Sequence, residues 1–319
     1  MEILFDRCGS VDVHKETLTA CIMIGRGKRL KKEIRTYSTM TEDIENLRDW
    51  FKGEGVKKVA MESTGVYWKP VYNILEEDFE VILANARHIK NVPGRKTDVK
   101  DSEWLCMLLR NGLIRGSFIP PRHIRQLRDL TRHRRKLHHN ISSEKNRLQK
   151  YLEDANIKLS SVVTDTFGVT GRDILRQIIK GNTNANELSE LARGTLRNKK
   201  DKLTKSCTGR VTDHHRTMLE FSLKHIEYME GLIAEIDSEI EKLSREHKLQ
   251  ETIELMDSIP GVDRRASEDI IAEIGTEMDQ FPTEHHLASW AGMCPGNNES
   301  AGKKKAARPS RETNGSRPY

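Results

Sequence analysis

Residues 3–37 read ILFDRCGSVDVHKETLTACIMIGRGKRLKKEIRTY. Ile3–Val13, Thr17–Ile24 and Lys31–Tyr37 are each rich in β-branched and apolar residues. Gly9-Ser10 interrupts the first run, and the turn Gly25-Arg26-Gly27 separates the last two. Short β-rich runs joined by glycine turns predict an antiparallel meander. Asp12 sits between Val11 and Val13 near the end of the first run, so its side chain points to the opposite face of the sheet from theirs.

Outward from the meander the pattern alternates. Thr41–Phe51 predicts a helix with Thr41 as N-cap and Ile44, Leu47, Trp50 and Phe51 on one face. Val56–Met61 predicts a strand, Val66–Leu75 a second helix and Glu80–Ala84 a fifth strand. Three strands followed by helix, strand, helix, strand is an α/β arrangement with a mixed sheet. Glu62 stands at the tip of its strand, beside Ser-Thr-Gly, where ligands bind in α/β sheets. Asp98 and Asp101 are three apart at the start of a helical stretch, so they share a face. Each acid alone reads as a cap or a surface charge. Together, beside a phosphate-binding helix, they read as carboxylates converging on a cation, because several cannot ionise at one point without one. Mg²⁺ is the usual partner, and two ions about 4 Å apart serve phosphodiester chemistry.

The composition narrows the class. The chain has 319 residues, 36% hydrophobic and 32% charged, with 54 Lys and Arg against 48 Asp and Glu. That length predicts roughly two domains with cores of their own. Cys8, Cys21, Cys106, Cys207 and Cys294 are widely spaced, which argues against a disulfide framework or zinc cluster and for a reducing cytoplasm. The longest apolar stretch, Leu18 to Ile24, is far short of the roughly 20 residues of a membrane span. The N-terminus does not have the pattern of a signal peptide.

The charge is unevenly placed. Residues 122–150 hold ten basic and two acidic residues, and residues 303–319 hold six and one. In the first segment Ile124, Leu127, Leu130, Leu137, Ile141 and Leu148 recur at helical spacing, with Arg125, Arg128, Arg132, Arg135, Lys136 and His139 expected mainly off that stripe. Guanidinium groups along a helix suit phosphate oxygens. Asp98–Leu113 also reads as helix, and residues 155–210 as polar and irregular with short helical pieces. Val211–Leu249 reads as one long helix whose apolar spacing predicts a helical or coiled-coil partner, the basic helix being the obvious one. Leu255–Gly275, LMDSIPGVDRRASEDIIAEIG, reads as helix–hairpin–helix. Gly261 permits the tight turn, and the second helix's N–H groups can hold a phosphate.

DVHKETLTACI, MESTGVYWKPVY, GRKTDVKDSEWLCMLLRNGLI and SIPGV…AEIG…ASWAGMCPGNNESAGKKK, in that order, resemble the DEDD-type insertion-sequence transposases of the IS110 and IS1111 family over about residues 8–305. The resemblance implies an N-terminal RuvC-like (RNase H-like) domain at 1–115, a basic and coiled-coil helical middle at 116–250, and a C-terminal transposase domain at 251–319. By motif it places the four acids on Asp12, Glu62, Asp98 and Asp101. It also implies a serine nucleophile at Ser300, assisted by two Mg²⁺ ions for which Mn²⁺ can substitute, and, in some members, a structured guide RNA suited to the basic helix. A hydroxyl needs a metal or base to attack at neutral pH. Lys303, Lys304 and Lys305 can offset phosphate charge beside it. Family members continue past the position of Lys305 into further helices, whereas AARPSRETNGSRPY has no apolar periodicity. A shortened C-terminal domain is therefore expected.

Three readings follow from the sequence: a DNA transposase, a junction-resolving nuclease using the acids and water, and an inactive nucleic-acid-binding remnant. The first implies DNA, a homo-oligomer (dimer or tetramer) and a prokaryotic cytoplasm, in association with the nucleoid.

Overall fold

A computed structural model describes residues 3–62, 65–84, 89, 100–114 and 116–293, and the backbone at 299–300 and 303–304. The chain divides into two compact units, residues 1–119 with 278–319, and residues 120–277.

The first unit is built on a five-stranded mixed sheet. The meander is β1 (Arg7–Val13), β2 (Thr17–Ile24) and β3 (Lys31–Ser38). After helix α1 (Thr41–Gly53) come β4 (Lys58–Glu62), α2 (Trp68–Leu75), β5 (Glu80–Ala84) and α3 (Asp101–Arg110). The strand order is β3-β2-β1-β4-β5. β1 pairs antiparallel with β2, and parallel with β4. β3 lies at the edge and carries Lys31, Lys32, Glu33 and Arg35, charges that discourage further strand addition. β1 and β2 are buried on both faces; β2 accordingly reads as a nearly continuous apolar run, whereas β1 buries Ser10 and Asp12 among its apolar residues.

Each face of the sheet has its own core. Val11, Val13, Leu18 and Met61 pack against Leu47 and Phe51 of α1 and Trp68 and Leu75 of α2. Cys8, Cys21 and Ala60 pack against Trp104, Leu105 and Leu108 of α3. Gly9 sits under the Phe51 ring, and a Cβ there would lie 3.0 Å from the ring. Cys8, Cys21, Cys106 and Cys207 are buried free thiols.

The second unit is helical. α4 (Arg122–Asp154) and α8 (Asp213–Glu246) run antiparallel side by side. His215 meets Asp154 at one end (2.9 Å), and His123 stacks on His247 at the other, their centroids 4.5 Å apart. Between them the chain forms a lobe of α5 (Val169–Ile179), α6 (Ala185–Glu190), a 3-10 turn (Gly194–Lys199) and α7 (Lys200–Cys207). The short helical pieces expected at 174–179 and 188–191 fall within α5 and at the end of α6, whereas α7 and a common core correct the reading of the rest of 155–210 as irregular. Ile174, Leu188, Leu203 and Cys207 are widely spaced in the sequence, yet they share one core with Leu148 and Leu219. α9 (Gln250–Asp257) and α10 (Arg264–Ile274) follow, and Ile253 and Ile271 pack with Ile124, Leu127 and Ile240. Thr212 and His215 form a reciprocal cap on α8, and Asp263 accepts from the Ala266 N–H at the start of α10 (2.8 Å). Among the described residues no helix is long and apolar enough to cross a membrane.

Candidate functional site

On β1, Cys8, Ser10 and Asp12 project to the face covered by α3, and Val11 and Val13 to the other. Two contacts fix α3 over that face. The Ser10 hydroxyl donates to the Ser102 carbonyl at 2.6 Å, and the Cys8 and Cys106 sulfurs lie 3.7 Å apart. Asp101 is the first residue of α3, preceded by Lys100 as N-cap, so the helix start brings its carboxylate towards Asp12.

Glu62 arrives from β4. β1 and β4 are parallel, with Val11 opposite Met61, so Asp12 and Glu62 are the next residues along and share a face at the strands' C-terminal ends. Ala60, two residues before Glu62, belongs to the α3-side core. Asp12, Glu62 and Asp101 therefore come to one end of the sheet from three elements. Asp98 lies outside the described residues. Among the described residues no group of three or more His, Cys, Asp or Glu side chains is arranged to hold a metal ion.

Asp12 is 9% exposed. Burial is the main cause that pushes its carboxyl above the ordinary range. His14 opposes that shift and Asp101 adds to it by like-charge repulsion. The His14 Nε2 lies 3.2 Å from Asp12 Oδ2. The sequence reading passed over His14, although the Asp-x-His spacing at a strand end was a signal for it.

Ser300 lies in β6 (Glu299–Ser300), which pairs antiparallel with β7 (Lys303–Lys304), Ser300 opposite Lys303. The side chains of Ser300, Lys303 and Lys304 lie outside the described residues.

The basic helix α4 differs from its reading in one respect. Arg128 is on the packing stripe, not off it: it is 5% exposed and donates to the carbonyls of Ala272 and Glu273, both at 2.8 Å, capping the C-terminal end of α10. Arg132 forms a two-pronged pair with Glu273 at 2.8 and 2.9 Å. Buried Arg134 reaches Asp237 (2.9 Å), Glu268 (2.6 Å) and Asp269 (3.2 Å). Arg135 reaches Asp269 at 3.1 Å, and Arg125 donates to the Pro120 carbonyl at 3.0 Å. The physical reason is α10, whose acids and terminal carbonyls take up Arg128, Arg132, Arg134 and Arg135. Lys136 is exposed. Gly261 is exposed in the joint between α9 and α10, with φ at +87°, a conformation that favours glycine.

Two family profiles match the chain. A DEDD-type profile of the IS110 group, described as transposase, covers residues 9–157, and one described as the transposase IS116/IS110/IS902 family covers residues 253–316. The chain is an IS110-family transposase. No curated protein matches it. As an IS110 transposase it is a DNA-recombining enzyme, and its mixed sheet with flanking helices is the α/β RNase H-like fold of the DEDD class. Asp12, Glu62 and Asp101 all fall within the first matched region.

Proposed function

We propose that this IS110 transposase cuts and exchanges DNA strands at the sheet end where Asp12, Glu62 and Asp101 meet, with Asp98 completing the set. The observation that carries the proposal is the register of β1 on β4, which sets Asp12 beside Glu62, together with the charge of Asp101 felt at Asp12. Oxygen donors of like charge, one of them buried, suit a hard divalent cation. Mg²⁺ is the expected ion, two ions are expected, and Mn²⁺ is expected to substitute. When bound, such ions stabilise charge on phosphate oxygens and lower the pKa of a coordinated hydroxyl.

In this reading Ser300 supplies the nucleophile. Its oxygen bonds to a DNA phosphorus, the bond to one DNA oxygen breaks, and the hydroxyl proton ends on the departing DNA alcohol. Lys303 and Lys304 offset phosphate charge beside it. We assign catalysis to residues 1–115, nucleic-acid holding to 116–250 and strand transfer to 251–319. The α4–α8 pair is read as the family's coiled coil, and α9–α10, turning at Gly261, as a helix–hairpin–helix. Arg125, Arg135 and Lys136 are the backbone contacts proposed on α4, with Arg128 and Arg132 supporting them through α10. A structured guide RNA and a homo-oligomeric assembly complete the proposal.

The test is strand exchange on a donor–target DNA pair with added Mg²⁺. Asp12→Ala and Ser300→Ala are expected to abolish exchange, and the parent to yield a covalent protein–DNA adduct that Ser300→Ala does not form. Exchange by Ser300→Ala at the parent's rate would remove the serine from the mechanism. Hydrolysis without an adduct would favour the junction-resolving reading.

A further inference from the structure

Two sets of cations in the helical unit have opposite surroundings. On α4, Arg128, Arg132, Arg134 and Arg135 are matched: they reach carbonyls or carboxylates of α10, and Arg134 reaches α8 as well. The lobe differs. Residues 193–210, RGTLRNKKDKLTKSCTGR, hold seven basic residues against one acid, Asp201. Arg193, Arg197, Lys199, Lys202, Lys205 and Arg210 are exposed.

Arg193 pairs with Asp173 at 2.6 Å, and Lys200 pairs with Glu190. Arg197 donates only to the Ala192 carbonyl, at 3.3 Å. Among the described residues no carboxylate forms an ion pair with Arg197, Lys199, Lys202, Lys205 or Arg210. Acid is not scarce in this unit, since residues 211–277 hold seventeen acidic residues against seven basic ones. Of these, Asp237, Glu268, Asp269 and Glu273 pair with arginines of α4, and none pairs with Arg197, Lys199, Lys202, Lys205 or Arg210.

The lobe also holds these cations in fixed positions. Leu203, Ser206 and Cys207 turn one side of α7 inward, which leaves Lys202 and Lys205 on the outer side, in steps of three residues from Lys199. The base of the lobe is tied to the end of α4: the Lys158 N–H donates to the Ser206 carbonyl and the Arg210 N–H to the Ala155 carbonyl, both at 2.8 Å. Gly209 lies so close to that strap that a Cβ would fall 2.4 Å from the Ala155 oxygen. Ordering these side chains on a rigid base lowers the entropy cost of engaging a polyanion.

We propose that the outer face of residues 193–210 is a docking surface for the phosphate backbone of a double helix, separate from the α4 arginines. Five unmatched cations in a short segment are the footprint of counterion-releasing binding. No aromatic residue occurs between 193 and 210, so there is no stacking platform for unpaired bases. Lysines contribute point charges that position a backbone without reading sequence. The occupant is duplex DNA, because the chain is a DNA-recombining enzyme; duplex RNA shares the chemistry and is an outcome of the test. The proposal rests on the chain's being a nucleic-acid enzyme, not on the carboxylate centre, whose failure would show in strand cleavage.

The experiment compares the full chain with Lys199→Gln/Lys202→Gln/Lys205→Gln/Arg210→Gln. Binding to a short DNA duplex, the matching RNA duplex and single strands is followed by fluorescence anisotropy between about 50 and 200 mM salt. The slope of log affinity against log salt is expected to become shallower by about 3 to 4, with at least about a tenfold affinity loss at the low-salt end. The all-arginine counterpart, Lys199→Arg/Lys202→Arg/Lys205→Arg, is expected to keep the parent's slope. The loss is expected on duplex DNA; a loss on duplex RNA alone would overturn DNA as the occupant. An unchanged slope and affinity in a quadruple variant whose circular dichroism and melting match the parent would overturn the proposal. So would a loss confined to single strands.

Discussion

The Ser10 hydroxyl donates to the main-chain carbonyl of Ser102 at 2.6 Å, and so ties the central strand to the first turn of the helix that bears Asp101. Ser10 is two residues before Asp12 on the same face. That bond, with the Cys8–Cys106 contact, holds the start of α3 against the strand that carries Asp12.

Ser10→Ala tests that tie. It leaves a buried carbonyl without its donor, and the expected stability loss is about 1 to 2 kcal/mol in urea denaturation. Strand cleavage should fall under conditions where the variant is fully folded, because the helix start is no longer pinned. Activity equal to the parent's in the folded variant would show that the position of Asp101 does not depend on Ser10.

Asp12 makes a prediction in pH. Its folded carboxyl holds a proton more tightly than the unfolded chain does, mainly through burial, with His14 opposing and Asp101 adding. The native state thus binds more protons over the window between the ordinary value of 3.8 and the raised one, and stability falls as pH rises through it. With metal chelated, Asp12→Asn is expected to melt higher than the parent at pH 7. The gain should disappear below pH 3.8, where both states are protonated. Added Mg²⁺ should raise the melting temperature of the parent more than that of the variant. Equal melting at neutral pH would show that the carboxylate is not strained by its surroundings.

The arginines of α4 are expected to divide by burial. Arg134→Ala leaves Glu268, 5% exposed, without its main partner, and should cost about 3 to 5 kcal/mol in denaturant unfolding. Arg135→Ala removes an exposed pair and should cost no more than about 1 kcal/mol. A loss under 1 kcal/mol for Arg134→Ala would mean that α10 is not held by this network.

Gly9→Ala probes the other face of the sheet. Its Cβ would press on the Phe51 ring at 3.0 Å, tighter than ordinary contact. The expected cost is about 1 to 3 kcal/mol, with Phe51→Leu in the same chain restoring part of it. Additive losses in the double variant would exclude this contact as the cause.

The mixed-sheet unit was legible because its signals are local. The meander, the α/β alternation and the alternation of Asp12 with Val11 and Val13 follow from side-chain periodicity. Strand and helix starts moved by a few residues: β4 begins at Lys58 rather than Val56, and α2 at Trp68 rather than Val66. What was not legible is long-range. Arg128 and Glu273 are 145 residues apart, and nothing near either position announces that one caps the helix of the other. The lobe at 155–210 looked irregular because its helices are short and polar, and its apolar residues find a common core only against α4 and α8. The cations of 193–210 are in plain view, but residues 211–277, with seventeen acidic residues against seven basic ones, follow directly and outweigh them in any longer window.

The antiparallel pair of α4 and α8 has a consequence for how this unit meets a polyanion. Its 33-residue helix spans about 50 Å. One tip of that rod carries guanidinium groups already neutralised by α10, and the opposite tip carries ammonium and guanidinium groups with no acid to quench them. The rod is thus electrically lopsided along its length. An approaching duplex would be turned by the field before any contact forms, so orientation would be selected during diffusion.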